Sequence, residues 1–173
     1  MKSKAKDGGE KNSIKLLIVD DHEIVRQGLI RLIETEYNLT VCSEAENASQ
    51  ALEAIAEKEF DLAIVDISLE DKNGLDLCEI MKIHRPNMII LILSMYDGMF
   101  YAQHALRAGA SGYVAKYEAA EKIITAIHEV LNGNIYVSDS KSIKKISETA
   151  TKINNSLSSI KKLEKEIYHG KNE

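Results

Sequence analysis

From Lys15 onward, short apolar runs alternate with stretches of helical spacing, and this alternation restricts the fold of the 173-residue chain more than any other feature. Lys15–Val19, Thr40–Cys42, Leu62–Val65, Met88–Leu93 and Gly112–Ala115 read as strands. Between and after them, residues 23–36, 48–57, 74–84, 98–108 and 119–132 repeat apolar side chains at helical intervals. Ile24, Leu29, Leu32 and Ile33 mark the first helix, Ala48, Leu52 and Ile55 the second, and Leu75, Cys78, Ile80 and Met81 the third. Pro86 stops the third helix, and Gly109 and Gly133 stand where left-handed caps close the last two. Strands that are apolar on both faces need cover on both sides. Five such βα units predict an α/β fold: a doubly wound, five-stranded parallel sheet with helices on each face.

A composition of 45% hydrophobic and 28% charged residues is enough to bury one core. One domain of roughly 100–150 residues is the expectation, and it leaves some tens of residues over. The net charge of −5 is unevenly spread. Residues 1–13 hold four Lys against two acids, residues 139–173 eight Lys against five acids, and the body between them ten basic against twenty acidic residues. An acidic body opposes nucleic-acid binding, which needs a basic face. Cys42 and Cys78 stand alone, without the spacing of a disulfide framework or a zinc site. The first 13 residues lack the apolar core of a secretory signal, and the apolar runs are strand-length. No membrane association and a cytoplasmic location are expected.

In doubly wound sheets, ligands sit beyond the carboxyl ends of the strands. The first strand here runs into Asp20 and Asp21, the third into Asp66, the fourth into Ser94, and the fifth stops before Lys116. Singly, a strand-end Asp is an ordinary cap or loop residue. Together, the five groups converge on one edge. Clustered carboxylates repel unless a cation lies among them, and a hard oxygen site suits Mg2+. One carboxylate then serves as the nucleophile and becomes an acyl phosphate, while Lys116 and Ser94 hold phosphoryl oxygens. An aspartate is already ionised at neutral pH, so no general base is needed. A haloacid-dehalogenase-type phosphatase also uses a strand-end Asp, but it wants a second acid two residues on, where this chain has Ser68. No glycine-rich nucleotide loop is present either.

These residues stand in stretches that resemble the receiver domain of two-component response regulators. The stretches are Val19-Asp20-Asp21-His22 leading into Val25-Arg26-Gln27-Gly28-Leu29; Asp61-Leu62 through Asp66-Ile67-Ser68-Leu69 to Gly74-Leu75; Leu93-Ser94-Met95-Tyr96-Asp97; and residues 107–116, which end in Gly112-Tyr113-Val114-Ala115-Lys116. The resemblance runs over about Ile14–Tyr136 and is nearest the NarL/FixJ branch, whose members usually carry a LuxR-type helix-turn-helix. It implies a flavodoxin-like (βα)5 fold over residues 14–138. It makes Asp66 the phosphoacceptor and Mg2+ the cofactor, held by Asp21, Asp66 and the backbone carbonyl of Ser68, with Asp20 acting through water.

The same resemblance gives Ser94 and Lys116 the phosphoryl-binding roles and Tyr113 that of a switch aromatic; a half-exposed strand tyrosine without such a role is the alternative. Ser68 and Tyr96, two residues past Asp66 and Ser94, would flank the water that hydrolyses the acyl phosphate and so set its lifetime. Phosphorylation adds roughly −1.5 to −2 charges. Ser94 is then drawn toward the phosphoryl group, leaving space for Tyr113 and reshaping the face from Gly98 to Asn132. The implied protein is a phosphorylation-dependent switch rather than an enzyme, loaded by a sensor histidine kinase or a phosphotransfer protein. Two departures stand out: Glu70 and Tyr117 occupy positions where the family often has proline.

Outside residues 14–138, residues 1–13 read as a mobile basic arm. In residues 139–173, Ile143, Ile146, Ala150, Ile153, Leu157, Ile160, Leu163 and Ile167 follow 3-4 spacing. A helix packed on its own receiver, a self-pairing coiled coil and a frayed linker all remain open, as does a homodimer through the receiver face or the tail. Leu157-Ser158-Ser159 and Leu163 to Ile167 also resemble, with gaps, the start of a LuxR-type effector domain. A transcriptional regulator whose DNA-binding part is truncated or supplied by a partner is therefore the second expectation. Sequence-specific DNA binding by this chain alone is not expected, because a helix-turn-helix needs two helices and a turn.

Overall fold

The computed structural model describes residues 13–96 and 98–138. The expectations for the basic arm and for the tail lie outside the described residues, Ser13 apart. In chain order the elements are β1 (Ile14–Val19), α1 (Glu23–Ile33), β2 (Leu39–Ala45), α2 (Ala48–Glu57), β3 (Leu62–Asp66), α3 (Gly74–His84), β4 (Ile89–Ser94), α4 (Met99–Arg107), β5 (Gly112–Ala115), a short 3-10 turn (Lys116–Glu118), α5 (Ala119–Leu131) and β6 (Tyr136–Val137). The sheet order is β2-β1-β3-β4-β5-β6, with every pair parallel. This is the doubly wound arrangement, and its order reverses between β1 and β3.

The period-two alternation of the central strands sends successive side chains to opposite faces, and both sets are buried. Leu16 and Ile18, Leu62 and Ile64, Leu91 and Leu93, and Val114 pack with Leu29 and Ile33 of α1 and Ile123 and Ile127 of α5. The alternate residues Leu17, Ala63, Val65, Ile90 and Ile92 are equally closed to solvent. Covering both faces fixes the register, because a one-residue slip would exchange the two sets.

The structure corrects several expectations. The sheet has six strands rather than five: β6 adds to β5, and beyond it Ser138 N donates to Tyr113 O at 3.0 Å while Ser138 Oγ accepts from Ala115 N at 3.0 Å. A two-residue strand is too short to show alternation in sequence. β2 runs well past Thr40–Cys42; it is an edge strand whose exposed positions take polar residues, so only part of it is apolar. Ile24 is 84% exposed, and α1 buries Arg26, Leu29 and Ile33 instead. Ala51 rather than Leu52 is buried in α2, and Leu77 rather than Leu75 in α3.

The two thiols should separate cleanly in a test of α3 packing. Burial pushes the Cys78 thiol up to about 12, and its Sγ donates to Ala108 O at 3.4 Å, whereas Cys42 is exposed. Because the thiolate is the reactive form, Ellman's reagent at mildly alkaline pH should find one fast thiol in the native protein and two in denaturant. A second fast native thiol would show that α3 does not hold its buried face.

Candidate functional site

At the reversal of strand order, β1 and β3 lie side by side, and the chain leaves each through an aspartate. Asp20 continues the parity of Leu16 and Ile18, Asp66 that of Leu62 and Ile64, and Lys116 that of Val114. The three charged groups therefore fall on one face of the sheet. Asp20 and Asp66 are fully buried, and Lys116 Nζ lies 2.7 Å from Asp20 Oδ2 and 2.8 Å from Asp66 Oδ2. The second oxygen of each carboxylate takes a backbone N–H: Asp66 Oδ1 accepts from Ser68 N at 3.2 Å, and Asp20 Oδ1 from His22 N at 2.9 Å.

Burial raises the Asp66 pKa above the usual carboxylate value; the Lys116 hydrogen bond and charge pull it back, and the Asp20 charge pushes it up again. For Lys116, burial works against the ammonium, but the bonds to Asp20 and Asp66 outweigh it and the pKa is raised. Two carboxylates facing one ammonium leave a negative pocket. Asp20, Asp21, His22 and Asp66 place one ligand atom each within 4.8 Å of one another. Among the described residues Asp20 Oδ2 is met by Lys116 Nζ alone and Asp21 Oδ1 by His22 Nδ1 alone, at 2.6 Å, so the carboxylates keep acceptor capacity that fits a divalent cation.

The backbone around the acceptor is tightly held. Gly74 N donates to Ile67 O at 2.7 Å, and Ser68 bridges Asn73, closing the loop after β3. A Cβ on Gly74 would stand 2.0 Å from Asp66 O. Asp71 in the same loop accepts from Ala48 N at 2.9 Å and Ser49 N at 3.2 Å, tying the loop to the start of α2.

Of the sequence-predicted residues, Asp20, Asp66 and Lys116 are in direct contact, and Ser68 reaches Asp66 through its N–H. Asp21 lies beside them. Ser94 and Tyr113 have the opposite strand parity, on β4 and β5. Ser94 Oγ is buried and accepts from Tyr96 N at 3.0 Å. Tyr113 is 2% exposed, not half-exposed, and its hydroxyl donates to Tyr96 O. The Tyr96 ring is half exposed and stacks on Tyr101 at 5.0 Å.

Two residues escaped the sequence reading of the site. Arg26 is buried, with Nη1 donating to Asp20 O at 2.7 Å, Nε to Glu44 at 3.2 Å and Nη2 to Glu46 at 3.2 Å. It fixes the Asp20 backbone; its signal was a cation at helical spacing from Leu29 and Ile33. His22 joins the acidic cluster, and its signal was adjacency to the acidic pair.

Comparison with known proteins gives one consistent picture. Residues 16–128 match the response regulator receiver domain family. Similar curated proteins include the transcriptional regulatory protein DegU of Brevibacillus brevis, 31% identical over 73% of this chain and 53% of its own length. The DNA-binding transcriptional activator DevR/DosR of Mycobacterium tuberculosis is 35% identical over 68% of this chain and 54% of its own. This chain thus spans about half the length of these relatives. A LuxR-family two-component response regulator from Aurantimonas sp. SI85-9A1 superposes with a TM-score of 0.73 at 32% identity, over 80% of this chain and 99% of that one.

Proposed function

The chain belongs to the response regulator receiver domain family, and from that membership we propose that it is a switch that accepts a phosphoryl group on Asp66. The observation that carries this reading is the buried Asp66 carboxylate at the strand-order reversal, held by Lys116 Nζ on one oxygen and Ser68 N on the other. An Asp66 oxygen attacks phosphorus; the bond to a phosphohistidine nitrogen, or to the acyl oxygen of acetyl phosphate, breaks and its electron pair leaves with that group. Lys116 already spans Asp20 and Asp66 and needs only to shift its ammonium to meet a phosphoryl oxygen. Asp21, Asp66 and the Ser68 carbonyl would hold Mg2+, with Asp20 acting through water. The bound ion supplies neutralisation of the charge brought by the phosphoryl group.

Ser94 is the hydroxyl for a second phosphoryl oxygen, and moving toward it gives up the bond from Tyr96 N. Tyr113 is already inside, so its part in switching is the fate of its bond to Tyr96 O, which joins β5 to the loop before α4. Ser68 and Tyr96 remain the residues proposed to set phosphoryl lifetime.

The proposed donor is a sensor histidine kinase or a phosphotransfer protein, and the setting is cytoplasmic; among the described residues no helix is long and apolar enough to cross a membrane. A homodimer through the receiver face or through residues 139–173 belongs to the same proposal, as does the division into arm, receiver (residues 14–138) and tail. The second reading, a transcriptional regulator with its DNA-binding part truncated or supplied by a partner, is favoured by the regulators among the relatives. Base-specific contacts are not assigned to the acidic receiver.

Incubation with acetyl phosphate and Mg2+, followed by borohydride trapping and peptide mass spectrometry, is expected to place one cation-dependent adduct on Asp66. No adduct, or an adduct on another residue, would overturn the assignment.

A further inference from the structure

Asp20 and Asp21 lie past the end of β1 and before the start of α1, so neither element's regular bonding holds the peptide that joins them. Asp20 is fully buried, and its carbonyl therefore needs a protein donor. That donor is Arg26 Nη1, at 2.7 Å. On the other side, Asp20 N donates to Ala45 O at 3.1 Å. The residues flanking Ala45 hold the guanidinium in turn: Nε donates to Glu44 Oε2 and Nη2 to Glu46 Oε1, each at 3.2 Å. A closed ring results, running from Asp20 to the end of β2, through Glu44 and Glu46 to Arg26 of α1, and back to Asp20. The planar fork of a guanidinium serves three acceptors at fixed angles, which a point-like ammonium does not.

We propose, on the reading of Asp66 as phosphoacceptor with Asp20 and Asp21 as its acidic pair, that Arg26 is a positioning residue for the phosphoryl transfer: it fixes the peptide plane between Asp20 and Asp21 and thereby aims both acids. A peptide unit is planar, so the direction of the Asp20 carbonyl also sets that of the Asp21 N–H and Cα. Asp20 Oδ2 meets Lys116 Nζ at 2.7 Å, and Asp66 Oδ2 meets the same nitrogen at 2.8 Å. A turn of that peptide would therefore misplace Asp21 and loosen the ammonium that Asp20 shares with the acceptor. Packing alone does not require this residue type. Arg26 lies with Leu29 and Ile33 on the buried side of α1, and an apolar side chain there would avoid the cost of burying a guanidinium. Its charge is offset by Glu44 and Glu46, which leaves hydrogen-bond geometry as its contribution. Those two acids reach solvent, with 37% and 62% of their side chains exposed, so loss of Arg26 strands the Asp20 carbonyl rather than a buried charge.

The test uses the full chain as wild type, Arg26→Met, Arg26→Gln, Arg26→Lys and Leu29→Ala, the last a packing control on the same side of α1. Calorimetry gives the Mg2+ affinity, and borohydride trapping gives the rate of Asp66 labelling by acetyl phosphate at saturating Mg2+. Both are corrected for the folded fraction read from urea curves. Arg26→Met and Arg26→Gln should each lose about tenfold in Mg2+ affinity and about tenfold or more in labelling rate. Arg26→Lys still offers the Asp20 carbonyl a charged donor and should recover most of both. Leu29→Ala should lose stability yet keep wild-type affinity and rate. Wild-type values in Arg26→Met and Arg26→Gln, or losses in Leu29→Ala equal to theirs, overturn the positioning role alone, the phosphoacceptor reading then standing on the wild-type adduct. Absence of an Asp66 adduct in the wild type overturns that reading and the positioning role with it.

Discussion

Lys116→Met is expected to destabilise the cation-free protein by about 3 kcal/mol at neutral pH, because removing one partner of a buried ionic cluster leaves the other charges uncompensated. In the wild type, one ammonium serves two carboxylates that have no access to solvent. Without it, Asp20 and Asp66 face each other with only backbone N–H groups to screen them. The size of the loss depends on pH in a direction that can be stated. The Asp66 pKa is already raised in the folded state, first by burial, and loss of Lys116 raises it further. The folded variant then holds a proton that the unfolded chain has released. Its stability falls as pH rises from the ordinary carboxylate value through the raised folded one, and stays low above it. Below the ordinary value the Asp66 carboxyl is protonated in both states, and the variant approaches the wild type. Urea unfolding in EDTA across this range measures the difference, and millimolar divalent cation should recover part of it by binding only the folded form. Parallel pH profiles for variant and wild type would contradict the electrostatic account.

Gly74→Ala should be at least as damaging, by a different cause. Its new methyl group would meet backbone: Asp66 O at 2.0 Å, Ile67 Cα at 2.8 Å and Asp66 C at 2.9 Å. None of these can turn aside, so either the start of α3 or the end of β3 must move. A destabilisation on the order of 3 kcal/mol or more is expected, at the upper end for overpacking. The displaced atoms include the acceptor's own carbonyl carbon and oxygen, so acetyl phosphate labelling should fall even in whatever fraction stays folded. Gly28→Ala is the control. Gly28 lies in the exposed interior of α1 with nothing within 4 Å of a built Cβ, and the exchange should stabilise by about 0.5–1 kcal/mol through helix propensity alone. Equal behaviour of the two variants in urea would refute the steric argument.

The sheet was legible in sequence wherever burial left a repeating signature. β3 and β4 are buried on both faces and appear as unbroken apolar runs, and their terminal residues delivered Asp66 and Ser94. The site was legible because doubly wound topology assigns a meaning to strand ends before any side chain is placed. What stayed hidden was decided by tertiary contacts. Arg26 reads as a solvent cation until Glu44, Glu46 and the Asp20 carbonyl surround it. Ile24 has the apolarity of a core residue, but α1 turns Arg26, Leu29 and Ile33 inward and leaves it exposed. In α3 the spacing pointed to Leu75, and it is the position of the sheet that turns Leu77 inward instead. His22 adjoined the acidic pair in sequence, but adjacency along a chain says nothing of where a ring turns.

The short β6 strand also changes the mechanical layout. Ser138 is bonded to the backbone of Tyr113 and of Ala115, the residues on either side of Val114 and just ahead of Lys116. A displacement of β5 as small as one hydrogen-bond length would therefore be felt at Ser138 at once, through the Tyr113 carbonyl on its backbone amide and the Ala115 amide on its hydroxyl. The strand that leads into the pocket's ammonium and the residue that follows β6 form one lever, with its fulcrum in the sheet.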